Sequence, residues 1–164
     1  MIILGVDPGT AETGIGVIKT SSGSTQLVHH SCFKTTPKDL AEKRLDLIYR
    51  EFLRLFREFK PAAAALEGLF FNTNAKSASA VGRAMGVTML AAARSRVPVF
   101  EYSPIKIKSM VDGYGRAKKK DIQARVKKAL KLKEIPRPVH AADALAVAIC
   151  HWRVVNNFQK PERR

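Results

Sequence analysis

The chain has 164 residues, 46% hydrophobic and 26% charged, with 10 Gly and 8 Pro; this excludes a disordered or collagenous chain and leaves room for one compact domain. Lys and Arg number 29 against 14 Asp and Glu, a formal net charge of +15, so a polyanion is the first partner to consider. The apolar start is too short for a secretory signal and no later run approaches a membrane span, so the expectation is a soluble, cytoplasmic protein with no membrane partner. Cys32 and Cys150 have no CxxC partner, which suits a reducing compartment and two buried thiols.

Residues 2–6 form a branched, apolar strand stopped by the turn signal Asp7-Pro8-Gly9. Residues 15–18 read as a second strand and 25–33 as a third, separated by Ser21-Ser22-Gly23-Ser24; short turns between successive strands predict an antiparallel meander. Thr36 is the expected N-cap of the first helix, with Pro37 at its first position. Leu40, Leu45, Ile48, Phe52, Leu55 and Phe59 then recur at helical spacing until Pro61 ends the pattern. Residues 62–67 are short and apolar and read as a strand ending in Glu67. Residues 75–94 read as a helix rich in Gly, Ala and Ser, a pattern that suits tight packing or a partner subunit. A strand over 97–102, a short helix from Pro104 to about Val111, a Gly113-Tyr114-Gly115 break, a basic helix over 118–132 and a last helix over 139–158 complete the order, with a polar, basic tail from 159 to 164 expected to be disordered.

Two anomalies of charge stand out. Residues 104–137 carry twelve Lys or Arg against three acids, +9 of the total +15. A flexible basic connection can follow a phosphate backbone, with salt-dependent affinity from counterion release; Lys106, Lys108, Arg116, Lys118 and Lys119 are the contact candidates. Conversely, a chain poor in acid places Asp7 and Glu67 at strand ends and Asp143 inside the apolar stretch 141–146, where an unpaired charge is costly. His140 lies three residues before Asp143 and so shares its helical face. Carboxylates gathered this way suit Mg²⁺, and two such ions can activate water against a phosphodiester. Taken singly, Asp7 is equally a turn former and Asp143 equally an ion-pair partner.

The segments Gly5-Val-Asp-Pro-Gly-Thr-Ala-Glu-Thr-Gly-Ile-Gly16, Ala65-Leu-Glu-Gly-Leu-Phe-Phe71 with Asn74, Val81-Gly-Arg-Ala-Met-Gly-Val87 and Ala141-Ala-Asp-Ala-Leu-Ala-Val-Ala-Ile-Cys-His151 closely resemble the crossover junction endodeoxyribonuclease (RuvC) family of the ribonuclease H-like superfamily. The resemblance implies an α/β, ribonuclease H-like fold: a mixed five-stranded sheet, built of a three-strand antiparallel meander plus two parallel strands, flanked by helices over 1–158. It implies a homodimer that resolves four-way Holliday junctions by metal-dependent, symmetric cleavage of two strands of like polarity, with Mg²⁺ or Mn²⁺ as cofactor and two ions per site. RuvA and RuvB are the partners it implies. Asp7, Glu67 and Asp143 match the family's acidic metal ligands, Phe70 an aromatic that stacks on a junction base, and Lys108 and Lys119 lysines near the DNA; Asn74 belongs to the same motif as Phe70. Where many relatives carry Asp, this chain has His140, whose imidazole would ligate metal or help activate water and suits Mn²⁺ somewhat better than Mg²⁺. Three other readings remain open on sequence: an actin-like ATPase, which the short length disfavours, a ribonuclease H acting on RNA-containing substrate, and a non-catalytic binder of branched DNA.

Overall fold

The computed structural model describes residues 1–69 and 75–159. Its elements are β1 (Ile2–Asp7), β2 (Glu12–Ser21), β3 (Ser24–Lys34), α1 (Ala41–Phe59), β4 (Ala63–Glu67), α2 (Ala75–Arg94), β5 (Val99–Tyr102), α3 (Pro104–Asp112), α4 (Lys119–Ala129) and α5 (Val139–Gln159). The sheet order is β3-β2-β1-β4-β5. The β1–β2 and β2–β3 pairs are antiparallel, and the β1–β4 and β4–β5 pairs are parallel. This is the mixed five-stranded sheet that the sequence predicts.

Side chains alternate across a strand, so each strand feeds two cores. Leu4, Val6, Ile15, Val17, Ala64 and Leu66 pack with α1 and α2 on one face. Ile3, Ile18 and Ala65 pack with α3, α4 and α5 on the other. By the same alternation Asp7 follows Ile3 and Gly5, and Glu67 follows Ala65, so both acids belong to the α5 face.

Helix α5 lies against a floor without bulk. Gly5 pairs with Gly16 on one side and Ala65 on the other, and Asp7 pairs with Gly14. A Cβ on Gly5 would collide with the Ala144 carbonyl oxygen and stand 2.8 Å from the Ala148 nitrogen; one on Gly16 would stand 2.6 Å from the Leu145 nitrogen. Small residues on both surfaces therefore let the helix backbone approach the sheet. The run from Ala144 to Cys150 is consequently buried throughout.

The basic helices are tied to this core. Arg153 of α5 donates to the Met110 and Val111 carbonyls at 2.6 and 2.9 Å, capping the C-terminal end of α3. Arg125 of α4 bonds Asp112 of α3 at 2.6 Å. At the other end of α3, Ser103 accepts the Lys106 N–H at 3.2 Å, with Pro104 in the first turn.

Several boundaries differ from those expected. Thr36 does not cap α1: its hydroxyl accepts the Lys38 N–H and its carbonyl the Asp39 N–H in a separate turn, and the helix begins after Leu40 without a side-chain cap. Leu40 is accordingly 69% exposed, while Phe56 joins Ile48, Phe52 and Leu55 in the core. Strand β5 starts at Val99, beyond Pro98, and α4 ends at Ala129. Cys150 is buried as expected, but Cys32 on the outer strand β3 is only half-buried. His151 is buried, with Nδ1 2.8 Å from the Tyr102 hydroxyl and its ring against Phe100, which makes it a packing residue. Gln159 closes α5, and the rest of the predicted tail lies outside the described residues.

Candidate active site

Asp7 ends β1 at the carboxyl edge of the sheet, and β4 runs parallel beside it, which brings Glu67 to the same edge. The first turn of α5 crosses above them. A Cβ at Gly14 would collide with the His140 carbonyl oxygen and stand 3.1 Å from Asp7 Cβ, so the absence of a side chain there sets how closely α5 meets β1.

Ligand-type atoms of Asp7, His140 and Asp143 all lie within 4.8 Å of one another. His140 Nδ1 is 2.7 Å from Asp7 Oδ2, and its Nε2 is 3.2 Å from Glu12 Oε2. Glu12 in turn bonds Lys34 Nζ at 2.7 Å. Lys119 Nζ donates to Asp143 Oδ2 at 2.6 Å. Glu67 stands outside the close group of three and instead lines an adjoining cleft of about 180 Å³ with Asp143, Lys108, Lys119, Pro104, Ile107 and Ile122.

The electrostatics are those of too much negative charge in too little water. Burial pushes the Glu67 carboxyl up to about 7, and the charges of Asp7 and Asp143 push in the same direction against Lys119 and Lys108. Burial also raises Asp7, outweighing its hydrogen bond with His140, while Asp143 adds to the rise. Glu12, on the surface, is held below the usual carboxylate range by Lys34. Two oxygen donors, an imidazole and a third carboxylate at the rim form a donor set that fits a hard or borderline divalent cation. The ammonium of Lys119 against Asp143 shows the same need for positive charge.

This strain has a measurable consequence for the metal-free protein. Glu67 keeps its proton in the folded state up to about pH 7 but ionises near 4.5 when unfolded, so the contribution of this group to stability is fully present below pH 4.5 and is lost as pH rises through 7. The loss is on the order of 3 kcal/mol. Thermal unfolding in EDTA at pH 5 and pH 8 should show it, and Glu67→Gln should flatten the pH dependence and be the more stable protein at pH 8. An unchanged pH profile in Glu67→Gln would contradict the assignment. Added divalent cation should restore stability to the wild type at pH 8 by binding only the folded state.

Of the sequence-predicted contacts, Lys108 and Lys119 face the cleft. Lys106, Arg116 and Lys118 are exposed and do not line it. Phe70 and Asn74 lie outside the described residues. Glu12, Lys34 and Gly14 are site neighbours that the sequence reading passed over. Position 12 carried a usable signal, being one of only 14 acids and lying just beyond the turn that follows Asp7.

Comparison with known proteins decides the family. The family model for crossover junction endodeoxyribonuclease RuvC matches residues 3–151. The chain belongs to the RuvC family of crossover junction endodeoxyribonucleases. Among its relatives, RuvC of Thermotoga petrophila is 53% identical over 152 residues, covering 92% of each chain. That of Desulforamulus reducens is 48% identical over 158 residues, covering 96% of this chain and 97% of the relative. The fold superposes on Thermus thermophilus RuvC solved in complex with Holliday junction substrate, with a TM-score of 0.92, 36% identity and 96% coverage of both chains. RuvC membership brings metal dependence, and Asp7, His140 and Asp143 are the group here that could hold the metal.

Proposed function

We propose that this RuvC-family chain resolves four-way Holliday junctions in recombination and repair by hydrolysing phosphodiester bonds symmetrically in two strands of like polarity. The observation that carries the reading is the convergence of Asp7, His140 and Asp143 beside a cleft lined by Lys108 and Lys119. The Thermus relative was solved with a Holliday junction as its substrate, which supports the same substrate class here.

Asp7, His140 and Asp143 would hold one divalent cation, and Glu67 with Asp7 would supply carboxylates toward a second. Mg²⁺ is the assigned cofactor and Mn²⁺ a competent substitute, favoured by the imidazole donor. When bound, such ions lower the pKa of an attacking water and stabilise the leaving oxygen. The chain does the rest. Lys108 and Lys119 draw a phosphate into the cleft, and the approach of that phosphate draws Lys119 from Asp143. Pro104, Ile107 and Ile122 give the cleft an apolar wall, which strengthens the charge interactions inside it. The exposed Lys106, Arg116 and Lys118 extend positive charge outward along α3 and the start of α4, where duplex arms would lie. Phe70 is assigned to an unpaired base at the exchange point, as the family motif implies, and Asn74 to DNA contact.

A symmetric two-strand cut requires two sites, and a homodimer supplies them. The α2 helix offers the surface: Gly86 is exposed, with open space where its Cβ would be, and Met89 and Leu90 beside it are 37% and 52% exposed. Sedimentation of Gly86→Trp should give a folded monomer; a dimer of wild-type stability would place the interface elsewhere. RuvA and RuvB are the assigned partners and the cytoplasm the assigned compartment. No helix of the described residues is long and apolar enough to cross a membrane. Residues 1–158 are taken to act as one nuclease domain.

The reading is tested by incubating the protein with a four-way junction, a linear duplex and an RNA–DNA hybrid, each with Mg²⁺, Mn²⁺ or EDTA. Paired nicks in the junction alone, absent in EDTA, are the expected result. Cleavage of the hybrid would favour a ribonuclease H activity, and a shifted but intact junction a binding protein.

A further inference from the structure

His140 has two ring nitrogens, and each meets a different carboxylate. Nδ1 lies 2.7 Å from Asp7 Oδ2, whereas Nε2 meets Glu12 Oε2 in an ion-pair contact of 3.2 Å. Glu12 is the first residue of β2, at the far end of the turn that starts at Asp7. It is held from behind by Lys34, the last residue of β3, at 2.7 Å, and the two residues are partners in the strand register. The result is a chain of contacts Lys34–Glu12–His140–Asp7.

We infer that Glu12 is a positioning residue for His140: it accepts the Nε2–H, fixes the ring in the tautomer whose Nδ1 lone pair is directed at the cation, and holds the imidazole plane against rotation. The inference rests on reading Asp7, His140 and Asp143 as the metal donors. A carboxylate on the remote nitrogen of a ligating histidine selects the tautomer and makes the ring a better donor, and its loss costs about 10–100-fold in metal affinity. An aspartate in place of His140 would have no remote N–H to hold, so the Glu12 and Lys34 pair is matched to the histidine. Glu12 does not belong to the group of converging donor atoms; it acts through the ring.

The test reads metal affinity without DNA or turnover. Free Mn²⁺ is followed by its paramagnetic resonance signal during titration with the wild type, Glu12→Ala, Glu12→Gln, His140→Ala and the Glu12→Ala/His140→Ala pair. Glu12→Ala should weaken binding about 10-fold or more, Glu12→Gln should recover most of it because the amide oxygen still accepts the N–H, and Glu12→Ala should cost nothing further once His140 is gone. Equal losses in both backgrounds would overturn the inference, since Glu12 would then act only as a distant negative charge. A loss in His140→Ala with none in Glu12→Ala overturns the role of Glu12 and leaves the metal site standing; no loss in His140→Ala removes His140 from the metal site and the inference with it. In the Mg²⁺-loaded wild type, ¹⁵N shifts of His140 should show the proton on Nε2, and a proton on Nδ1 would contradict the assignment. Glu12 is a surface residue in an exposed ion pair, so its variants should fold.

Discussion

Asp7→Asn should abolish junction cleavage, by at least about 10³-fold or roughly 4 kcal/mol of transition-state stabilisation, while leaving junction binding intact. Asp7 sits at the centre of the donor group: its carboxylate is bonded to His140, feels the charge of Asp143 and raises Glu67. An amide keeps the shape and one acceptor oxygen but loses the charge that holds a divalent cation. Binding is a different matter, because the proposed phosphate contacts are lysines on α3 and α4, and removing one negative charge from the edge of the cleft lessens repulsion. Gel shifts at fixed ionic strength and single-turnover cleavage separate the two effects. The metal-free variant should also be more stable than the wild type at neutral pH, since a partly buried carboxylate among like charges costs stability. Cleavage at the wild-type rate by Asp7→Asn would remove the metal site from this edge of the sheet.

The second large effect is expected at a residue with no functional group. In Gly14→Ala the new methyl would stand 2.5 Å from the His140 carbonyl carbon and 3.1 Å from Asp7 Cβ. Both obstacles belong to the frame of the site, one to helix backbone and one to the atom that carries a donor. The first turn of α5 must therefore lift, at about 1–3 kcal/mol in stability, and His140 and Asp143 move with it. A displacement of about 1 Å can cost about 10²-fold in rate, so the loss of activity should exceed what partial unfolding explains. Gly86→Ala is the contrast for the fold of the single chain: nothing in its own chain lies within 4 Å of its Cβ position, so the fold should be unaffected or stabilised by about 0.5–1 kcal/mol, as expected of Gly→Ala within a helix, and any change in cleavage there reports on the dimer face instead. Circular dichroism melts and cleavage rates measured together check both variants. A fully active, fully stable Gly14→Ala protein would show that α5 does not set the site through this contact.

Much of this arrangement is legible in the sequence where local chemistry decides. The tight turn after β1, the meander, and the span of α2 from 75 to 94 follow from turn residues and periodicity. So does the pairing of His140 with Asp143, because three residues along a helix return to the same face. The three alanines that open β4 favour helix by propensity, yet form a strand because helices cover both faces of the sheet and leave little room. What the sequence conceals depends on long-range placement. Thr36 has the chemistry of a cap, but the chain makes a separate turn before α1 begins. Phe56 is buried because of the rotational setting of α1 against the sheet, which spacing alone does not fix. The Glu12–His140 contact joins residues 128 positions apart and becomes visible only when α5 crosses the end of β1. Likewise the basic run over 104–137 divides: Lys108 and Lys119 face the cleft, while Lys106, Arg116 and Lys118 extend the positive surface beyond it.

In the proposed arrangement β1 and α5, meeting over a glycine floor, assemble one divalent-metal site from Asp7, His140 and Asp143 with Glu67 beside it. Anomalous diffraction from crystals grown with Mn²⁺ would reveal that site. The predicted result is a manganese peak within bonding distance of Asp7, Asp143 and His140 Nδ1, with Lys119 withdrawn from Asp143. Manganese bound elsewhere, with the Lys119–Asp143 pair intact and these side chains free of metal, would contradict it.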